Sequence, residues 1–141
     1  MSMDREYIDS LWQRAVFTLG SAKINLIRDS DLAANRAYYA AFYAVSALFA
    51  GENRFFKKHS GVRSAVYAEL VHTGRWKKEL GDDYRNLMEL REVADYGVLQ
   101  HATKEEAQEA IDRSERILIA VHEAQPDIFP LDAQAEHGKS G

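Results

Sequence analysis

The stretch LREVADYG, Leu90 to Gly97, sets an arginine, an aspartate and a tyrosine within little more than one helical turn and then stops on glycine. A guanidinium at such a place is suited to gripping a phosphate in bidentate fashion. Asp95 stands four residues after Arg91, on the same helical side, close enough to pair with it. Arg91 also flanks an apolar stripe made by Leu90 and Ala94, where a charge requires a partner or water. Tyr96 is expected to bury its ring and leave its hydroxyl at a cleft edge. The same residues would also serve a purely structural end, a salt-bridged helix terminus.

Other chemistry-bearing patterns are weaker. Glu69 and His72 have the Glu-x-x-His spacing of dinuclear carboxylate sites in helical bundles, but that chemistry needs a second such pair and two further glutamates. His59, His101, His122 and His137 show no ligand spacing among themselves, so no metal is expected. Neither G-x-G-x-x-G nor G-x-x-x-x-G-K-[ST] occurs, so no cofactor is expected, and there is no G-x-S-x-G elbow. Charge is unevenly spread. Residues 53–78 hold seven Lys/Arg against one acid, a net of +6, and the remainder carries −10. Phe55, Phe56 and Trp76 are interleaved with these cations, a combination that follows a phosphate backbone and stacks on exposed bases. The plainer explanation is a solvated charged face, with the aromatics covering the ends of helices.

Composition narrows the classes. With 46% apolar and 28% charged residues in 141, the chain suits one globular domain with its own core. It contains no cysteine, which excludes disulfides, thiolate metal sites and a cysteine nucleophile and suits a reducing cytoplasm. The opening MSMDREYIDS is acidic and polar where a signal peptide is basic and then apolar, and apolar runs are short, so neither a targeting segment nor a membrane span is expected.

The elements that must position these residues are helices. Ile8, Leu11, Ala15, Leu19, Ala22 and Leu26 step by three or four, which predicts a first helix over about 4–28. DLAANRAYYAAFYAVSALFAG predicts a second, central helix with Asp31 as N-cap and Gly51 as stop. A third is predicted to start near Ser60, to line one side with Val62, Ala65, Val66, Glu69 and Leu70, and to end at Gly74. A fourth covers roughly 76–95 with Leu80, Leu87, Leu90 and Ala94 inward, Gly97 supplying a left-handed terminus. Thr103 and Glu106 form a capping box for a fifth helix whose inner residues are Ala107, Ile111, Leu118 and Val121. Both prolines, Pro126 and Pro130, come after these segments, and no run alternates with a period of two. The expectation is an all-α up-and-down bundle of four to five helices over residues 1–125, then a short, polar, frayed tail at 126–141.

Taken together, RAYYAAFYAVSALF (36–49), HSGV (59–62) and LREVADYG (90–97) resemble the HEPN domains (higher eukaryotes and prokaryotes nucleotide-binding), in particular the small stand-alone bacterial and archaeal branch. The likeness runs over about residues 5–124. It implies a helical bundle that commonly forms a homodimer with a cleft near the interface, and often a minimal nucleotidyltransferase encoded alongside as toxin–antitoxin partner. Some members are metal-independent ribonucleases whose motif is an arginine, four to six residues, and a histidine. Arg91 matches the arginine, but Tyr96 stands where the histidine is expected, and His101 follows only after nine intervening residues. The leading expectation is therefore a cytoplasmic protein that binds a nucleotide or RNA phosphate, or a nucleotidyltransferase partner, through Arg91, Asp95, Tyr96, Arg36, Lys57 and Lys58. The alternatives are a ribonuclease toxin using Arg91 with Tyr96 or His101, and a non-catalytic scaffold.

Overall fold

Five helices follow one another along the chain: α1 (Met3–Asn25), α2 (Ser30–Ala50), α3 (His59–Ala65), α4 (Lys78–Tyr96) and α5 (Lys104–Ala124). The third continues as one π-helical turn, Val66–Val71. The structure is a computed structural model and describes residues 3–97 and 100–131. Among these residues every regular element is helical, as the spacing predicts. No helix among them is long and apolar enough to cross a membrane.

The bundle is organised around α2, which touches α1, α4 and α5. Its alanines make this possible: Ala33, Ala37, Ala40, Ala41, Ala44 and Ala47 are all fully buried, so three neighbours approach its backbone closely. Between them Tyr38, Val45, Leu48 and Phe49 fill the remaining space. Burial of each large side chain contributes about 1.5–3 kcal/mol. Ile8, Ala15, Leu19 and Ala22 of α1 and Ala107, Ile111, Leu118 and Val121 of α5 face this core in the predicted register. The Thr103–Glu106 capping box opens α5.

Several local details differ from the sequence-based expectation, each for a physical reason. Asp29, not Asp31, caps α2 by accepting from the Leu32 amide at 3.0 Å. Asp31, two residues further in, is thereby free to accept from the Ala102 amide at 2.7 Å, tying the start of α5 to α2. Glu69 is turned off the buried side by the π-helical turn, whose i→i+5 bond runs from the His72 amide to the Tyr67 carbonyl, and it pairs instead with Arg54. His72 lies apart from that carboxylate, along a groove with Arg63, Tyr67 and Arg85. Gly74 has the left-handed φ of 83° expected of a stop, but Gly97 does not: its φ is −74° and its ψ 127°. Glycine is required there because a Cβ would stand 2.6 Å from the carbonyl oxygens of both Val93 and Gln100.

The segment after Pro126 is not frayed through Leu131. Phe129 is buried against Trp12, whose indole Nε1 donates to the Pro130 carbonyl at 2.9 Å, and His122 Nδ1 lies 2.7 Å from the Phe129 carbonyl. Residues 132–141 lie outside the described residues.

One anchor of the site helix was not legible beforehand. Asp83 of α4 is buried and takes Arg113 Nη1 at 2.8 Å, Arg116 Nε at 3.0 Å and Arg116 Nη2 at 2.9 Å, fixing α4 on α5. Asp83→Ala removes the acceptor that joins both guanidiniums of α5 to α4 and is expected to lower unfolding free energy by about 2–4 kcal/mol, measured by urea denaturation.

Candidate anion site around Arg91

Arg91 reaches from α4 to α2, where the rings of Tyr38, fully buried, and Tyr39 are in contact. Its guanidinium carbon lies 5.0 Å from the Tyr38 ring centre, 5.8 Å from Tyr39 and 5.7 Å from Tyr96. Three aromatic faces therefore carry this cation, and the attraction they supply is largely offset by the hydration the guanidinium gives up. Its polar partners are few and distant. Nη1 donates to the Tyr39 hydroxyl at 3.5 Å and stands 3.5 Å from Asp95 Oδ2. Nε is buried with no acceptor. The side chain is 14% exposed, which makes it neither free in solvent nor sealed. Burial pulls the guanidinium pKa down, but Tyr39, Tyr38, Tyr96 and Asp95 outweigh it and raise it, so the charge is permanent.

Asp95 is held from the opposite side. The Asn35 amide donates to both its oxygens at 3.0 Å, and Asn35 Oδ1 in turn accepts from Arg36 Nε at 2.9 Å. Arg36 also lies over the Tyr39 ring at 5.5 Å. Arg91, Asp95 and Arg36 are thus one connected cluster built across α2 and α4. Tyr96 belongs to it only through Arg91. It is 71% exposed, not buried as expected, because it falls on the last turn of α4 where no described element covers it. The outer side of α4 forms an open groove through Glu89, Arg91, Glu92, Val93, Tyr96 and Gly97.

His101 is placed differently. Its Nδ1 lies 2.7 Å from Asp31 Oδ2, so it is tied to α2 one turn before Asn35 and has no contact with Arg91 among the described residues. Lys57 and Lys58 are exposed at the entrance to α3, and among the described residues neither has an acidic partner.

The sequence reading missed the residues that shape the site most. Tyr38, Tyr39 and Asn35 lie in the motif around RAYYAAFY, yet nothing in their spacing tells which of that helix's several faces receives α4. His59 was missed as well. It opens α3, stacks on Phe42 at 4.2 Å, and has Nδ1 3.2 Å from the Tyr38 hydroxyl. Burial and then the Arg91 charge lower its pKa below the ordinary 6.5, while burial raises that of Tyr38. Gly61 of the HSGV stretch lets Phe56 close on this turn, since a Cβ would come within 3.1 Å of its ring.

A model of the HEPN domain family matches residues 8–124. The chain is 39% identical over 128 residues to the UPF0332 protein of Thermotoga maritima, covering 89% of this chain and 96% of that one. It is also 36% identical over 78 residues to a Methanocaldococcus jannaschii protein whose name marks it as a candidate toxin; the match takes in 55% of this chain and about half, 53%, of that one. The chain belongs to the HEPN family.

Because its polar contacts are long and one donor is orphaned, Arg91 does little to hold the bundle together. Arg91→Ala is expected to change unfolding free energy by less than about 1.5 kcal/mol, well under the effect of Asp83→Ala in the same urea titration. A loss as large as that of Asp83→Ala would make Arg91 a structural lock.

Proposed function

We propose that this HEPN protein binds the phosphate of a nucleotide or RNA at Arg91, as part of a toxin–antitoxin type system. The observation that carries the proposal is the state of that guanidinium: it is charged, supported by rings more than by acids, and its fork is only loosely occupied. Protein carboxylates that fully engage an arginine leave it nothing to offer; here Asp95 is drawn toward Asn35 and sits 3.5 Å away. An incoming phosphate gives the shorter, charge-assisted bonds that the site lacks. Glu89 and Glu92 lie along the outer groove, so the anion enters from the α3 side, where Lys57, Lys58 and Arg63 supply attraction. The likeness to a relative named as a candidate toxin supports the biological setting. A homodimer and a minimal nucleotidyltransferase are the partners proposed with it.

Fluorescence anisotropy with labelled single-stranded RNA tests the binding. Affinity is expected to fall steeply with salt, and Arg91→Ala to weaken it by at least about tenfold, one lost charge-assisted contact being worth some 1.5–3 kcal/mol. Removing Lys57 and Lys58 should flatten the plot of log affinity against log salt by about 0.7 per lysine. Affinity that does not respond to salt would rule out phosphate recognition. Light scattering over a range of concentrations is expected to report a dimer mass, and a strictly monomeric mass would count against a site near a subunit interface.

A further inference from the structure

The histidine missing from the spacing after Arg91 is present in space. His59 and Arg91 come from helices that are remote in sequence, yet both are seated on the same two rings. The imidazole lies 6.0 Å from Tyr38 and 5.6 Å from Tyr39, and the guanidinium 5.0 Å and 5.8 Å from them. Phe42 stacks beneath the imidazole at 4.2 Å, and the Tyr38 hydroxyl reaches Nδ1 at 3.2 Å, so the ring is oriented from two directions. His101 has none of this, being held by Asp31. Phe55, half exposed, and Lys57 and Lys58, exposed and without an acidic partner among the described residues, come immediately before His59, offering a stacking face and two phosphate contacts along one RNA strand.

We infer that His59, and not His101 or Tyr96, is the proton-transfer residue that works with Arg91 on an RNA phosphodiester. The inference rests on the phosphate-binding reading of Arg91 given above. With Nδ1–H donated to the Tyr38 oxygen, Nε2 has a free lone pair and takes the proton of a ribose 2′-hydroxyl. The 2′-oxygen attacks the adjacent phosphorus, the bond from phosphorus to the 5′-oxygen breaks, and the imidazolium returns that same proton to the departing oxygen. The products are a 2′,3′-cyclic phosphate and a 5′-hydroxyl, with no other reactant consumed. Arg91 holds the non-bridging oxygens as charge gathers on them. The groups facing the imidazole favour its neutral, accepting form at neutral pH: Tyr38 and Tyr39 from α2 and Arg91 from α4, with Arg63 one turn on along α3 and Lys58 just before it. Among the described residues no carboxylate touches it to stabilise the charged form.

The test uses labelled single-stranded RNA with the wild-type chain and its His59→Gln, His101→Gln and Arg91→Ala variants, following both binding and the appearance of cyclic-phosphate ends. Removing the proton-transfer group is expected to slow cleavage at least about 100-fold, with RNA affinity changed less than threefold. The wild-type rate is expected to rise with pH to a plateau through a midpoint below 6.5, the direction set by burial and by the Arg91 charge. A second readout needs no turnover: the His59 imidazole, followed by nitrogen–proton NMR, should titrate below 6.5 and move upward in Arg91→Ala. RNA that is bound but never cut, cleavage unchanged in His59→Gln, cleavage lost only in His101→Gln, or a His59 titration indifferent to Arg91 would each overturn the assignment while leaving phosphate binding standing. A wild-type protein that does not bind RNA or nucleotide would instead remove the binding reading, and this inference with it.

Discussion

A guanidinium held by ring faces is the feature on which the candidate site depends. Arginine taken out of water must recover its lost hydration, and the usual means is a carboxylate with both oxygens engaged. Arg91 has Tyr38, Tyr39 and Tyr96 instead, with one hydroxyl and one acid at 3.5 Å and a buried Nε that finds no acceptor. Quadrupolar attraction keeps the charge in place without neutralising it. The result is a cation that is already positioned, partly desolvated, and still able to make its strongest bonds with something else. Such pre-positioning lowers the ordering cost of binding an anion.

The fold supplies this arrangement through small residues in one helix. The alanine face of α2 admits α4 closely enough for Tyr38 and Tyr39 to meet Arg91, and Asn35, a turn earlier, draws Asp95 away from a tighter ion pair. Asp31, a turn earlier again, clips the start of α5 to the same edge. Nearer the start of α4, Asp83 with Arg113 and Arg116 forms the saturated ion cluster that Arg91 lacks. One helix therefore carries two arrangements of opposite character: a closed one that fixes it and an open one that it presents. Although no histidine follows Arg91 at the spacing of four to six intervening residues, His59 and Arg91 both lie against the rings of Tyr38 and Tyr39.

Much of this was legible in the residues before any coordinates. Repeats of three and four found every helix, and Thr103 with Glu106 marked the start of α5 because a capping box is a purely local signal. What escaped notice was decided by geometry in three dimensions. Asp29 and Asp31 are chemically identical and two residues apart, so only the turn preceding α2 selects which one caps it. A π-helical turn is invisible to a search with a period of 3.6, and it moved Glu69 off the face where that period placed it. Gly97 was correctly marked as special but for conformational freedom, when the real constraint is two carbonyl oxygens that leave no room for a Cβ. The segment around Phe129 is too short and proline-flanked to show periodicity, yet Trp12 covers it. Arg91 and Asp95 were found through their local spacing, whereas His59 reaches the site through a different helix, and no spacing rule connects the two.

The most direct measurement is of the Arg91 side chain itself. Nitrogen-detected NMR of its guanidinium during titration with a 3′-phosphorylated ribonucleotide should show a saturable shift of the Arg91 resonances and slowed exchange of its protons, as the loosely held fork takes on an external oxyanion. Resonances that stay fixed while the nucleotide is bound elsewhere, or that already show the slow exchange of a fully bonded guanidinium without it, would contradict the idea that this charge is kept in reserve.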